Sequence, residues 1–159
     1  MRKSQYGFSL IELLIVVAII LIIAAIAIPN FLRAKITANE SSAVSSLHAV
    51  DTAEITYEST YAAVGYSVAL SDLGQGAAPP CPGTAVASCF IDSVLASGTK
   101  SGYKFTYVQN ATQTPSLGFT INADPVMLHL TGERGLYSDE SNVIRYNTGG
   151  PANSASPPL

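Results

Sequence analysis

Hydrophobic and polar positions divide the chain into three stretches. From Leu13 to Ile28 every residue is Ala, Val, Leu or Ile, and between Ser4 and Leu32 the only charged side chain is Glu12. As a helix, the run from Phe8 to Ile28 spans ~31 Å, the hydrocarbon thickness of a bilayer. Beyond it, Ile36, Ala43, Leu47, Val50, Ala53, Tyr57 and Tyr61 recur at helical spacing, which predicts an amphipathic continuation with Glu40, Asp51, Glu54 and Glu58 largely off the apolar stripe. Pro29, between the two, lacks an N–H and can end or kink a helix. Because the periodicity resumes after it, one helix over 8–61 is expected, ~81 Å long if unbroken.

After Tyr61 the helical period is lost. Gly74-Gln75-Gly76 and Pro79-Pro80 break regular structure, so 62–99 reads as a connecting region with one short helix over Phe90–Ala96, stopped by Gly98. Alternation then predicts strands at Tyr103–Val108, Leu117–Ala123, Val126–Leu130 and Val143–Tyr146, with Ser138–Asn142 as a turn. The expected fold class is α+β: a long N-terminal helix packed on an antiparallel sheet of about four strands within 100–146. The Gly/Pro/Ser-rich end, 147–159, reads as a flexible tail.

Composition narrows the function. Charged residues are 12% of the chain, about half the usual share, and the formal net charge is −3. A mildly acidic chain without clustered Lys and Arg has no electrostatic footprint for nucleic acid, and none is expected as a partner. Arg2 and Lys3 precede the apolar run, so its N-terminal side is expected in the cytoplasm and the remainder exported. The run exceeds the 7 to 15 residues of a typical secretory h-region, and no A-x-A-like site follows it. Inside such a segment a carboxylate costs roughly 2.5–3.5 kcal/mol, so Glu12 needs either a partner or a route to the interface by snorkelling.

Candidate chemistry is sparse. His48 and His129 each lack a second ligand at metal spacing, no G-x-S-x-G is present, and Gly74-Gln75-Gly76 lacks the third glycine of a dinucleotide fingerprint. No enzymatic activity, catalytic residue or cofactor is expected. Asp139, Glu140 and Asn142 fit either a turn or a calcium ion between strands. On the exported side Cys81 and Cys89, with seven residues between them, are expected to pair, the alternative being two buried thiols.

The N-terminus carries a specific resemblance. Gly7-Phe8-Ser9-Leu10-Ile11-Glu12, after a short basic leader and before Leu13-Leu14-Ile15-Val16-Val17-Ala18-Ile19-Ile20, resembles the type IV prepilin signature. The likeness is strongest to about Phe31 and weaker to about Tyr61. It implies a leader at 1–7 removed after Gly7 by a prepilin peptidase, and N-methylation of Phe8 by the same class of enzyme. It also implies a helix at 8–61, with 8–28 forming the membrane span and later the filament core, and a head at 62–159. By the same resemblance Glu12, the fifth mature residue, neutralises the Phe8 amine of a neighbouring subunit during assembly. Leu21 stands where many family members carry a helix-loosening glycine, while Pro29 retains the family's later proline. A disulfide at Cys81 and Cys89 departs from the C-terminal bridge of many pilins. The expectation is a pilin-like structural subunit, held in the inner membrane with its N-terminus in the cytoplasm. Assembly machinery would then polymerise it into an extracellular helical homopolymer serving adhesion, motility or another filament role. Alternatives are a pseudopilin of type II secretion, a minor pilin, or an anchored extracellular binding protein that never polymerises.

Overall fold

The computed structural model describes residues 8–76 and 81–159. The Gly7 side of the expected cleavage junction, the basic leader and Pro79-Pro80 lie outside the described residues. The chain forms two compact units, Met1–Lys35 and Ile36–Leu159.

The first element, α1, runs Leu10–Thr60 and includes Pro29. Helix therefore continues past the proline. The ring removes the donor that would reach the Ala25 carbonyl, and one residue on, Asn30 Nδ2 donates to the Ile26 oxygen at 3.0 Å. Among the described residues of the first unit, 8–35, the side chains are almost all exposed, and α1 carries a stretch long and apolar enough to cross a membrane.

The second unit holds the core. Ala43, Leu47, Val50, Ala53 and Tyr57 of α1 are buried against Tyr103, Phe105, Phe119, Ile121, Ala123 and Leu136 of an antiparallel sheet. Its strands are β1 (Thr99–Lys100), β2 (Tyr103–Gln109), β3 (Phe119–Pro125), β4 (Arg134–Asp139) and β5 (Arg145–Thr148), paired in sequence order. Register puts Phe105 opposite Ala123 and Ile121 opposite Ser138, so alternate residues face the helix. The connection from α1 to β1 contains a 3-10 turn at Leu70–Leu73 and a short helix, α2 (Ser93–Ala96). The Asp92 side chain accepts the Leu95 N–H at 3.0 Å, an N-cap, and Gly98 at φ 82° follows the helix end.

Three expectations are corrected. Val126–Leu130 is not a strand: it forms a loop in which the Leu130 and Thr131 N–H groups donate to the Met127 carbonyl, with His129 at φ 65°. The strand lies instead at Arg134–Asp139, where Gly135, Leu136, Tyr137 and Ser138 are all buried and no alternation marks the sequence. Both faces of β4 are covered, the inner by α1 and the outer by the C-terminal segment, so close that a Cβ on Gly135 would sit 2.4 Å from the Gly150 carbonyl oxygen. The third correction follows from the second, because 147–159 is docked rather than flexible. Ala152 is buried and its carbonyl accepts from Asn122 Nδ2 at 2.7 Å. Tyr146 N–H donates to the Pro157 carbonyl and Leu159 N–H to that of Ile144, which closes the free edge of β5.

Candidate functional site

At the start of α1, Ser9 precedes the first helical residue and Glu12 is the third residue of the first turn. The Glu12 carboxylate reaches back and accepts the Ser9 N–H at 2.9 Å. Ser-x-x-Glu is the sequence of a capping box, and this is its glutamate half. The negative charge also sits at the positive end of the helix dipole. Phe8 and Glu12 are both exposed, as are the large apolar side chains from Leu10 to Leu32. The arrangement is an exposed apolar helix start with a single carboxylate held against the Ser9 N–H. Chemically it offers an anion for a cation and an apolar surface that needs lipid or protein cover.

The second unit keeps three carboxylates on the buried face of α1, against the expectation that they lie largely off the stripe. Glu40 accepts from the Glu133 N–H at 2.9 Å and from Arg134 Nε and Nη2 at 3.0 and 2.8 Å. Asp51 accepts the Ser138 hydroxyl at 2.9 Å, while its Oδ1 is buried without a partner. Burial pushes the Asp51 carboxyl up to about 6, against the opposing effect of the Ser138 hydrogen bond. Glu54, fully buried, accepts the Ser67 N–H and hydroxyl, and burial raises its pKa as well. Each carboxylate ties the helix to a different element: Glu40 to the start of β4, Asp51 to its end, Glu54 to the chain just after α1. Steps of three and four through 40, 43, 47, 50, 54, 57 and 61 place Glu40 and Glu54 on the apolar seam itself. That spacing is the signal the sequence offers, masked by the assumption that charge means solvent.

Cys81 and Cys89 are joined, with Cα atoms 6.3 Å apart. Tyr57 in the last turn of α1 and Tyr61 just after it hold this loop: Tyr57 Oη donates to the Ala85 carbonyl at 2.7 Å and Tyr61 Oη to that of Gly83 at 2.8 Å. Covalent closure and side-chain clamps therefore act on the same short segment.

Other candidates separate. His48 and His129 are both exposed, one on α1 and one in the β3–β4 loop rather than on a strand. Asp139 accepts from the Ser141 N–H and hydroxyl, and Asn142 N–H donates to the Asp139 carbonyl at 2.9 Å, which is turn chemistry. Among the described residues no three His, Cys, Asp or Glu side chains are grouped to hold a metal ion.

Likeness to known proteins is concentrated at the N-terminus. Residues 2–28 match the model of the prokaryotic N-terminal methylation motif. The type IV major pilin protein PilA of Myxococcus xanthus is 53% identical over 59 residues, 34% of this chain and 27% of that protein. The type IV wide pilus major component PilA4 of Thermus thermophilus is 58% identical over 41 residues, 26% of this chain and 30% of that protein. A fimbrial protein of Pseudomonas aeruginosa is 53% identical over 51 residues, covering 32% and 33%. The chain thus spans between 27% and 33% of the length of these relatives. No solved structure matches it.

Proposed function

We propose, from the likeness of its N-terminal residues to those of type IV pilins, that this chain is a structural subunit of a type IV pilus filament and not an enzyme. The observation that carries this reading is the exposed apolar surface from Phe8 to Leu32 with Glu12 as its only charge before Arg33. Residues 1–7 are the leader, removed after Gly7 by a prepilin peptidase that also methylates the new Phe8 amine. Before assembly, 8–28 spans the inner membrane with the N-terminus in the cytoplasm, and the head, 62–159, is exported. The assembly machinery then moves the subunit into a helical homopolymer, where the apolar segments of neighbouring subunits replace lipid.

Burial in that core gives Glu12 its role. An unpaired ion there costs several kcal/mol, and a carboxylate facing the Phe8 ammonium of a neighbour cancels both charges. In the free subunit the same carboxylate caps its own helix through Ser9. Pairing across subunits thus exchanges a local hydrogen bond for an ion pair, and only a neighbour in the correct axial register offers the exchange. The test is filament yield from Glu12→Ala as the sole copy. Insertion and cleavage should persist, because the segment becomes more apolar and Gly7-Phe8 is untouched, while sheared filaments should fall sharply. Normal filament yield would contradict the pairing.

A further inference from the structure

We propose that Asn110 is the acceptor of an N-linked glycan, transferred to its side-chain amide from a lipid-linked oligosaccharide on the exported side. The inference rests on the reading that the head, 62–159, is exported; it does not depend on polymerisation.

Two Asn-x-Ser/Thr triplets without a central proline occur in the chain, Asn39-Glu40-Ser41 and Asn110-Ala111-Thr112. Such a triplet is the acceptor pattern for N-glycosylation, and it is usable on an exposed loop, where a transferase can take hold of the amide. The fold separates the two copies. Asn39 lies inside α1, its Nδ2 donates to the Thr131 carbonyl at 2.9 Å, and Glu40 beside it is buried and bonded to Arg134. That nitrogen is already used, on a backbone locked as helix. Asn110 lies between β2 and β3, outside both strands, and residues 110–115 are all exposed.

Its own triplet holds the Asn110 side chain in one orientation. Oδ1 accepts the Thr112 hydroxyl at 3.0 Å and the Thr112 N–H at 3.4 Å. A backbone N–H can donate only to the oxygen of an amide, so this contact fixes which end of the group is Nδ2. Among the described residues Nδ2 makes no hydrogen bond, so derivatising it breaks none. The base of the loop is held by other atoms. Asn110 N–H donates to the Gly118 carbonyl at 2.8 Å, the Ser116 hydroxyl to the Asn110 carbonyl at 2.8 Å, and Ser116 N–H to the Val64 carbonyl at 2.9 Å. A sugar on Nδ2 leaves all three in place.

The transfer balances without an oxidant or reductant. Nδ2 bonds to C1 of the first sugar of a polyprenyl-pyrophosphate-linked oligosaccharide while the C1–O bond to the phosphate breaks. The pyrophosphate leaves with that electron pair, and one Nδ2 proton passes to a base of the transferase. This chain supplies the nitrogen and, two residues on, the hydroxyl by which a transferase recognises the acceptor. The same compact unit carries the Cys81–Cys89 bridge, a bond that persists in the oxidising compartment where such a transfer would take place.

Trypsin separates the two triplets, since cleavage after Lys35, Lys100, Lys104 and Arg134 puts Asn39 in peptide 36–100 and Asn110 in peptide 105–134. The full chain would be isolated from its native host and digested, and the peptides fragmented in the mass spectrometer by a method that keeps sugars attached. Peptide 105–134 should be heavier by whole sugar residues placed on Asn110, and Asn39 should be bare. Asn110→Gln and Thr112→Ala should each abolish the increment, and Thr112→Ser should retain it. Protease added to spheroplasts reports export in the same cells. A bare peptide 105–134 from a head that the protease digests would overturn this inference and leave export standing. An increment that survives Asn110→Gln would put the sugar on a hydroxyl and also overturn it. A head protected from the protease would overturn the export reading and this inference together.

Discussion

Replacing Asp51 by Asn removes a charge that the fold holds at a cost. In the folded second unit the carboxyl is raised by burial to about 6 from its ordinary 3.8. A tenfold change in proton affinity is worth about 1.4 kcal/mol, so the ionised form costs the folded state about 3 kcal/mol at neutral pH. The sign follows from proton uptake. Below about pH 4 both folded and unfolded chains are protonated and the penalty is absent. Between about 4 and 6 the unfolded chain is ionised and the folded one is not, so stability falls by up to about 1.4 kcal/mol per pH unit as pH rises. Integrated from pH 4.5 to pH 7, this group should remove about 2 kcal/mol.

The Asp51→Asn side chain would keep an acceptor for Ser138 but place an amide nitrogen where Oδ1 is now unpartnered, a cost of about 1–3 kcal/mol that does not vary with pH. The assay is urea unfolding of the full chain in detergent micelles, followed by tyrosine near-UV circular dichroism at pH 4.5 and pH 7. The groups whose charges act on Asp51, His48 and Glu54 on α1 and Asp139 on β4, are present in both proteins. Subtracting the two curves therefore isolates Asp51 to first order. Asp51→Asn should gain about 2 kcal/mol relative to wild type between pH 4.5 and pH 7. A difference that stays constant within about 0.5 kcal/mol across that range would refute the reasoning, because such a carboxyl would not be taking up a proton on folding.

Loss of the Cys81–Cys89 bridge by Cys81→Ser with Cys89→Ser should cost about 2–4 kcal/mol of head stability in the same assay, and equal midpoints with and without the bridge would contradict this. Gly132→Ala forces a methyl into the Tyr103 ring and should lower stability by about 1–3 kcal/mol, whereas an unchanged unfolding midpoint would mean that the loop base is soft. In assembled filaments amide exchange within the rod should be fastest around Pro29, where the Ala25 carbonyl lacks its helical donor, and slow around Leu21; the reverse order would place the weak point elsewhere.

Much of the fold is legible in the sequence because its strongest signals are periodic. The uninterrupted Leu13–Ile28 run and the stripe from Ala43 to Tyr57 both fall in α1, and Phe105 and Ile121 announce β2 and β3 by alternation. β4 is hidden by its surroundings, since Arg134–Asp139 is covered on both faces and its cover, the Gly149–Leu159 segment, has the composition of a tail. Val126–Leu130 misleads for the opposite reason: alternating apolar side chains without a pairing partner are a loop, and only the hydrogen bonds to Met127 distinguish the two. Burial of Glu40, Asp51 and Glu54 depends on donors that arrive from Arg134, Ser138 and Ser67, distant in sequence for the first two, so composition alone could not place them inside. At the N-terminus the chemistry is local. Ser9 and Glu12 are three residues apart, and the capping contact between them follows from that spacing.

The central claim, that this chain is processed at the Gly7-Phe8 junction and polymerises, is tested most directly by the intact mass of the subunit recovered from sheared filaments. After chemical deglycosylation the expected mass is that of residues 8–159 with about 14 Da added at the Phe8 amine by methylation. Loss of Arg2 and Lys3 takes the formal charge from 8 − 11 = −3 to 6 − 11 = −5. Filaments built from a chain that still begins at Met1 would contradict it.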